Sequence, residues 1–318
     1  MTMLECLKLL KITNTHYHNY YLSLLMKKLL LTVFSLIAVL TCSAQVSKGV
    51  AAIDTLQGRE QLRFLSVDEM RGRLTGSNEA RLTAEYIQSE LRRMGYQPTV
   101  EKFVAKGINM QNVILTIPGK DTSTCIVVGA HYDHIGMGAY GDAFNGADDN
   151  ASGIVAVLQI AKAIKASGLT PKRSIVLAFW DGEEIGLHGS KNYMLNRDST
   201  TIKGYMNFDM IGRETDENNP TLFRYLYTQS KPAYEKFLAS AISDYKLDII
   251  AQFKPWANPT SGSDNAPFAK KGVPIAWFHT DGHDDYHKES DTYDKICWAK
   301  MFDIIRASYL VQWEMANE

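Results

Sequence analysis

The sequence predicts an α/β fold: a single domain in which a mostly parallel, mixed central sheet is covered by helices on both faces. Three observations carry that prediction. Four apolar runs, at 125–130, 175–180, 204–208 and 274–278, are short and continuous, as expected of strands buried on both faces. Segments of helical period alternate with them, and that alternation belongs to a parallel sheet with helices packed on it. Each of the four runs leads directly into His, Asp or Glu side chains.

The bulk properties are those of an ordinary globular chain: 318 residues, 45% hydrophobic and 22% charged, with a net charge of −1. So even a balance gives no basis for nucleic acid as a partner. No internal repeat or linker-like tract divides the chain. The amino end reads differently. Met26-Lys27-Lys28 precedes an apolar run at 29–40 and then Thr41-Cys42-Ser43-Ala44-Gln45. A positive start, a short apolar stretch and small residues at a cleavage point form a signal peptide, expected at 26–44. Residues 1–25 read as an upstream extension. The apolar run is too short for a stable membrane span. A second reading of the leader puts a lipid anchor on Cys42. Either way the mature part, 45–318, is expected outside the cytoplasm, periplasmic or extracellular. Of the remaining cysteines, Cys125 and Cys297 are expected as two buried free thiols.

Taken in order, residues 58–75 are mixed and polar and end in the loop Arg71-Gly72-Arg73-Leu74-Thr75-Gly76-Ser77. A helix follows, because Ala80, Ala84, Ile87, Leu91 and Met94 recur at spacings of four, three, four and three. Ser77 or Asn78 can cap its start, and Gly95 stands where a left-handed C-cap belongs. Strands are predicted at 99–104 and 112–117, an antiparallel pair that makes the sheet mixed. Pro118-Gly119-Lys120-Asp121 is a turn signal. The run at 125–130 ends in His131-Tyr132-Asp133-His134. A glycine-rich loop, 136–146, then leads into an apolar helix at about 151–166, stopped by Gly168 and Pro171. The strand at 175–180 ends in three carboxylates within four residues, Asp181, Glu183 and Glu184. The strand at 204–208 ends in Asp209. A helix at about 231–245, a loop at 256–265, the strand at 274–278 and a final helix at about 292–313 complete the chain. The segment from His279 to His287 follows the last strand.

In an open parallel sheet, ligands bind at the carboxyl ends of the strands. His131, Glu183 with Glu184, Asp209 and the His287 loop therefore fall on one edge, and Asp149 is delivered beside them just before a helix. Taken singly, each has an ordinary role: a capping histidine, an N-cap acid, or an acid satisfied by backbone or favoured by a helix dipole. His134, His188, His279 and His283 keep that ordinary reading, because each has a better-placed neighbour. Together the others bring two imidazoles and several carboxylates to one place. Such carboxylates repel, and burial raises their pKa values unless cations neutralise them. Imidazole and carboxylate without thiolate suit zinc and tolerate manganese or cobalt. So many donors suit two ions bridged by one carboxylate. The adjacent side chains of Glu183 and Glu184 diverge, so one can hold metal while the other faces a bound water.

Five separated motifs carry a resemblance. They are His131-Tyr132-Asp133, Gly146-Ala147-Asp148-Asp149-Asn150-Ala151-Ser152-Gly153, Glu183-Glu184-Ile185-Gly186-Leu187-His188-Gly189-Ser190, Asn207-Phe208-Asp209 and Tyr286-His287-Lys288-Glu289-Ser290-Asp291-Thr292. In order and spacing they resemble the M28 family of zinc peptidases, as does the upstream stretch 72–77 with its helix. The resemblance runs from about residue 58 to the C-terminus. It implies two zinc ions, with His131 and Glu184 as terminal ligands of different ions, Asp149 bridging, and Asp209 and His287 completing the two sets. It implies Glu183 as general base, Asp133 as the acid that orients His131, and Tyr286 as a donor to the tetrahedral oxyanion. The expected activity is removal of the first residue from peptides with a free N-terminus. A glutaminyl cyclase, which shares the fold with one zinc, and a catalytically inactive binding module are the other readings. The complete two-ion donor set weighs against the first, and an intact Glu183 against the second. Dipeptidase and carboxypeptidase variants stay open. One departure is Asn265, which stands where the family often has His.

Overall fold

The computed structural model describes residues 41–318, apart from 196, 215 and 217, together with 3, 26, 28 and 32. The expected upstream extension and most of the signal peptide lie outside the described residues. No helix among the described residues is long and apolar enough to cross a membrane. Residues 41–47 are helical and belong to a separate unit, Met1–Ser47; the sheet and the helices that pack on it belong to the second unit, Lys48–Glu318.

The elements of that second unit, in chain order, are α1 (Thr55–Leu65), α2 (Asn78–Arg93), β1 (Thr99–Ala105), β2 (Ile108–Ile117), β3 (Asp121–His131), α3 (Gly153–Ser167), β4 (Arg173–Trp180), α4 (His188–Leu195), β5 (Ile202–Phe208), β6 (Leu222–Thr228), α5 (Ala233–Tyr245), β7 (Ile250–Trp256), α6 (Asn265–Lys270), β8 (Ile275–His279) and α7 (Trp298–Asn317). All eight strands form one sheet in the order β1-β2-β4-β3-β5-β8-β6-β7. The central strands β4, β3, β5 and β8 are mutually parallel. β1, β2 and β4 are joined by antiparallel pairings, and β6 runs antiparallel to β8 at the other side. The fold is therefore the predicted α/β domain with a mixed sheet.

Local signals account for most boundaries. Ser77 caps α2 by accepting a hydrogen bond from the Ala80 N–H at 3.1 Å, and Gly95 takes φ +81° just past the helix end. Helix α3 is buried along almost its whole length, consistent with its apolar sequence. It starts at Gly153 rather than 151, because Ala147–Ser152 form an irregular turn before it. Helix α7 starts at Trp298 rather than near 292, after a single tight turn at Tyr293–Lys295. Elements α1, α4, α6, β6 and β7 are additions to the predicted set. Cys125 and Cys297 are free thiols as expected, but half-buried rather than buried.

The core beneath the site is aromatic. Tyr205 stacks on Phe268 with ring centroids 3.9 Å apart, and Trp180 donates its indole N–H to the Tyr205 hydroxyl at 2.9 Å. Tyr205 donates in turn to Asn207 Oδ1 at 2.8 Å. Gly129 makes this possible: a Cβ there would lie 2.5 Å from the Trp180 indole nitrogen. Burying one such ring contributes about 1.5–3 kcal/mol, so a few of them anchor the strands whose ends carry the chemistry.

Candidate metal centre

Three neighbouring parallel strands end side by side, and each end presents one part of the site. Strand β3 ends in His131, β4 runs into Asp181 and Glu183-Glu184, and β5 runs into Asp209. The chain leaves β3 for β4 on one side and then passes to β5 on the other, which makes the β3 end a topological switch point. Asp149 comes from the Ala147–Ser152 turn. Asn150 fastens that turn to the end of β5: its Nδ2 donates to the Phe208 carbonyl at 2.9 Å, and its Oδ1 accepts from the Met210 N–H at 3.2 Å. Asp291 fastens it to the His287 loop, its carboxylate accepting the N–H groups of Asp148 and Asp149, each at 3.0 Å. Gly146, at φ +55°, lets the turn close; a Cβ there would meet the Asp149 carbonyl at 2.1 Å.

Asp149 sits at the centre, 2% exposed. Its Oδ1 lies 3.4 Å from His131 Nε2, which lies 3.6 Å from Asp209 Oδ1. Its Oδ2 lies 3.2 Å from His287 Nε2, which lies 3.2 Å from Glu184 Oε2. The two carboxylate oxygens thus face two separate groups of donors. Zinc bonds of about 2.0–2.1 Å in tetrahedral geometry place neighbouring donor atoms about 3.3 Å apart. The four separations fall around that value. His287 Nε2 is buried and makes no hydrogen bond of its own, although it faces two carboxylates. The donor set, imidazole nitrogen and carboxylate oxygen, is the one zinc takes. These residues could hold two ions with Asp149 shared between them.

Glu183 and Glu184 are set by Asp133. The Asp133 carboxylate accepts the Glu183 N–H at 3.0 Å, the Glu184 N–H at 3.3 Å and the Thr75 hydroxyl at 2.7 Å. Asp133 also meets His131, but not in the expected way. His131 Nδ1 lies 3.1 Å from the Asp133 main-chain carbonyl, while the side-chain oxygen is 3.8 Å away. A carbonyl only accepts, so Nδ1 carries a proton, and Nε2 is the ring atom turned towards Asp149 and Asp209. Tyr286 stacks on His287 with ring centroids 3.9 Å apart and is partly exposed at the mouth of the site.

Electrostatics follow from burial. Burial pushes the carboxyls of Asp149 and Glu183 up, and for Asp149 neighbouring Glu184 adds to the shift. Burial also resists ionisation of Glu184, but the hydrogen bond with His134 and close contact with His287 outweigh it and carry its pKa below the usual range. For Asp209, contact with His131 outweighs burial and lowers the pKa. The histidines answer in kind. Burial opposes charge on His131, yet Glu183 and Asp209 raise its pKa, and contact with Asp149 and Glu184 lifts His287 to about 10.

Sequence reasoning missed three residues that the structure brings to the site: Arg73, His134 and Asp291. Arg73 is fully buried and donates to five carbonyls: Tyr132 at 3.1 Å, Leu65 at 2.6 Å, Asn145 at 2.7 Å, Gly146 at 2.9 Å and Asp149 at 3.4 Å. Burial lowers its pKa to about 10, against the pull of Asp149, Asp291 and Asp133. Arg73 and Asp291 both lie inside recognisable sequence motifs, and that was the only signal for them. His134 is fully buried with Nδ1 2.8 Å from Glu184 Oε1. Of the other histidines, His279 meets the Asp209 carbonyl at 2.6 Å, and His283 Nε2 lies 3.3 Å from Asp148 Oδ2, behind the turn. Asn265 closes its own loop by donating to the carbonyls of Pro259 and Ser261. That loop touches the site framework through Ser263, which accepts from Asn207 Nδ2 at 3.0 Å. The glycine-rich loop folds back on itself, with Met137 opposite Ala143. With Lys288, Glu289 and Ser290 it walls a cleft of about 680 Å³.

Comparison with known proteins bears on family and fold. The family model for peptidase family M28 matches residues 112–311. Leupeptin-inactivating enzyme 1 of Streptomyces exfoliatus is 30% identical over 218 residues, 68% of this chain and 46% of that protein. The chain spans about half the length of the curated relatives it matches. Among solved structures, the LapA aminopeptidase of Legionella pneumophila superposes with a TM-score of 0.73 at 22% identity, covering 87% of this chain and 74% of that one. A glutaminyl cyclase of Fimbriiglobus ruber superposes with a TM-score of 0.67 at 16% identity, covering 84% of this chain and 96% of that one. At these identities the two structures share the fold, and the fold alone does not separate their chemistries.

The bracing role of Arg73 is testable. Lysine, with three donors on a compact ammonium and no planar fork, cannot serve the five carbonyls that Arg73 meets. Arg73→Lys should therefore cost about 3–5 kcal/mol in chemical denaturation, as for a buried charge that loses its partners. Arg81→Ala, which removes the exposed Arg81–Glu85 pair, should cost about 0.2–1 kcal/mol. Equal small losses in both variants would contradict the bracing role.

Proposed function

The chain belongs to peptidase family M28, and from that premise we propose that it is a co-catalytic di-zinc aminopeptidase, releasing single residues from peptides with a free N-terminus. The observation that carries the proposal is the two-sided setting of Asp149, one oxygen towards His131 and Asp209, the other towards Glu184 and His287. On this reading His131 and Asp209 hold one ion, Glu184 and His287 the other, and Asp149 bridges. The ions would supply Lewis acidity towards the scissile carbonyl and a lowered pKa for the attacking water.

The chain's own residues do the rest. Glu183 takes the proton of the attacking water and returns it to the leaving amine. Burial among acids raises its affinity for that proton, which suits a carboxylate that must carry it between two steps. Asp133 holds the Glu183 and Glu184 main chain and the His131 ring at once, so one residue sets base and ligands in register. Tyr286, stacked on His287 and half open to solvent, stands ready to donate its hydroxyl to the oxyanion. The acidic site favours the cationic amino end of a peptide and disfavours its carboxylate. The cleft beside the glycine-rich loop offers room for the departing chain. Export by the 26–44 leader, with removal after Ala44, would deliver this activity outside the cytoplasm.

Glu183→Gln should keep fold and metal and lose about 10²–10⁴-fold in rate, the usual cost of removing a general base. Glu184→Gln should instead lose metal affinity, and exchanged phenotypes would reverse the two assignments. A matched set of one peptide, free, N-acetylated and C-amidated, with a second beginning in glutamine, tests polarity. Stepwise release is expected from the free and amidated forms and little from the acetylated one. Ready cleavage of the acetylated form contradicts the aminopeptidase reading, and ring closure of the glutamine peptide without hydrolysis would assign a cyclase.

A further inference from the structure

We propose that His134 is a positioning residue for Glu184: its Nδ1–H donates to Glu184 Oε1, so that Oε2 alone is presented to the ion shared with His287. The inference rests on the two-ion reading of the site. Glu184 is a flexible side chain whose carboxylate can turn either oxygen, or both, towards a cation. Here its two oxygens are distinguished. Oε2 lies 3.2 Å from His287 Nε2, the spacing of two donors around one ion, whereas Oε1 lies 2.8 Å from His134 Nδ1. The second distance is that of a charge-assisted hydrogen bond, about 2.7–2.9 Å. It is shorter than the roughly 3.3 Å between fellow ligands of a tetrahedral zinc. His134 Nδ1 also lies 3.6 Å from Asp149 Oδ2, but its short contact is with Glu184, so the ring is assigned to that carboxylate.

The surroundings leave His134 one orientation. Its N–H donates to the Arg73 carbonyl at 3.2 Å, and it lies alongside Leu74 in a parallel bridge. Its ring packs on the Gly146 backbone, where a Cβ would lie 2.6 Å from the ring carbon Cδ2. Nε2 is buried without a hydrogen-bond partner among the described residues, so Nδ1 is the only ring atom with a task. The arrangement ties Glu184 to the Arg73 segment that also braces the Gly146 turn. Partners of this kind orient a ligand, and their loss typically weakens metal binding about 10–100-fold.

The test uses His134→Ala, His134→Asn and His134→Gln in the full chain. An asparagine amide can stand where Nδ1 stands and donate to Oε1; a glutamine amide reaches the Nε2 position instead. Zinc affinity of each site is measured by chelator competition, imidazole ligands are counted by X-ray absorption, and folding is followed by circular dichroism. The expected result is one ion bound about 10–100-fold more weakly in the alanine and glutamine variants. The asparagine variant should recover most of the affinity, and the imidazole count should stay as in the wild type. Unchanged affinity in the alanine variant overturns the proposal. So does a lower imidazole count with no recovery by asparagine, which would make His134 a ligand. If the alanine variant does not fold, the contrast between asparagine and glutamine decides. A wild-type chain that binds fewer than two ions would instead overturn the two-ion reading, and with it the premise of this inference.

Discussion

Buried carboxylates held within a few ångströms of one another repel, and each resists ionisation in a medium that cannot solvate it. That constraint organises the upper edge of this sheet. Asp149, Glu183, Glu184, Asp209, Asp133 and Asp291 meet there with little exposure to water. The fold answers with fixed positive charge and directed hydrogen bonds. Arg73 lies buried beneath the cluster and donates to five carbonyls. His131 and His287 face the carboxylates from either side of Asp149. The consequence is uneven: burial leaves Asp149 and Glu183 reluctant to ionise, while Glu184 and Asp209 are held ionised by histidines. Such a site has a place for further positive charge on both faces of Asp149.

Backbone as well as side chains builds this arrangement. The Asp133 carboxylate binds two successive N–H groups, Glu183 and Glu184, and its carbonyl fixes the His131 tautomer. Asp291 likewise binds the N–H groups of Asp148 and Asp149. Each acid ties together main-chain segments that lie far apart in sequence. The aromatic stack of Trp180, Tyr205 and Phe268 anchors the same strand ends from below. A glutaminyl cyclase can share this sheet; what distinguishes chemistries is the set of side chains at its edge.

The central strands, α2, α3 and the helix that became α5 were readable because their apolar residues run continuously or recur at helical period. The far edge was not. In β6 buried Phe223, Tyr225 and Tyr227 alternate with exposed or half-exposed neighbours, and β7 has no fully buried residue, so neither carries the continuous apolar run that marks the central strands. Helix α1 was hidden by Gly58 in its interior, a residue that weakens helices in isolation. In the fold Gly58 is buried where Phe302 leaves no room for a Cβ. At the site, His131, Asp149, Glu183, Glu184, Asp209 and His287 were readable because strand ends converge. Arg73 was marked only by its motif and His134 kept its ordinary reading, since their partners lie as far as Asp149 and Glu184 along the chain. Asp133 was found for the right neighbour but the wrong atom.

The central claim is that Asp149 stands between two metal ions. Metal content per chain, determined by elemental mass spectrometry on protein loaded with zinc and freed of loosely held ions, tests it most directly. The account predicts two zinc ions per wild-type chain, and loss of more than one from Asp149→Ala, since a bridging ligand serves both. A wild-type chain that holds one ion, or an Asp149→Ala chain that keeps two, would contradict it.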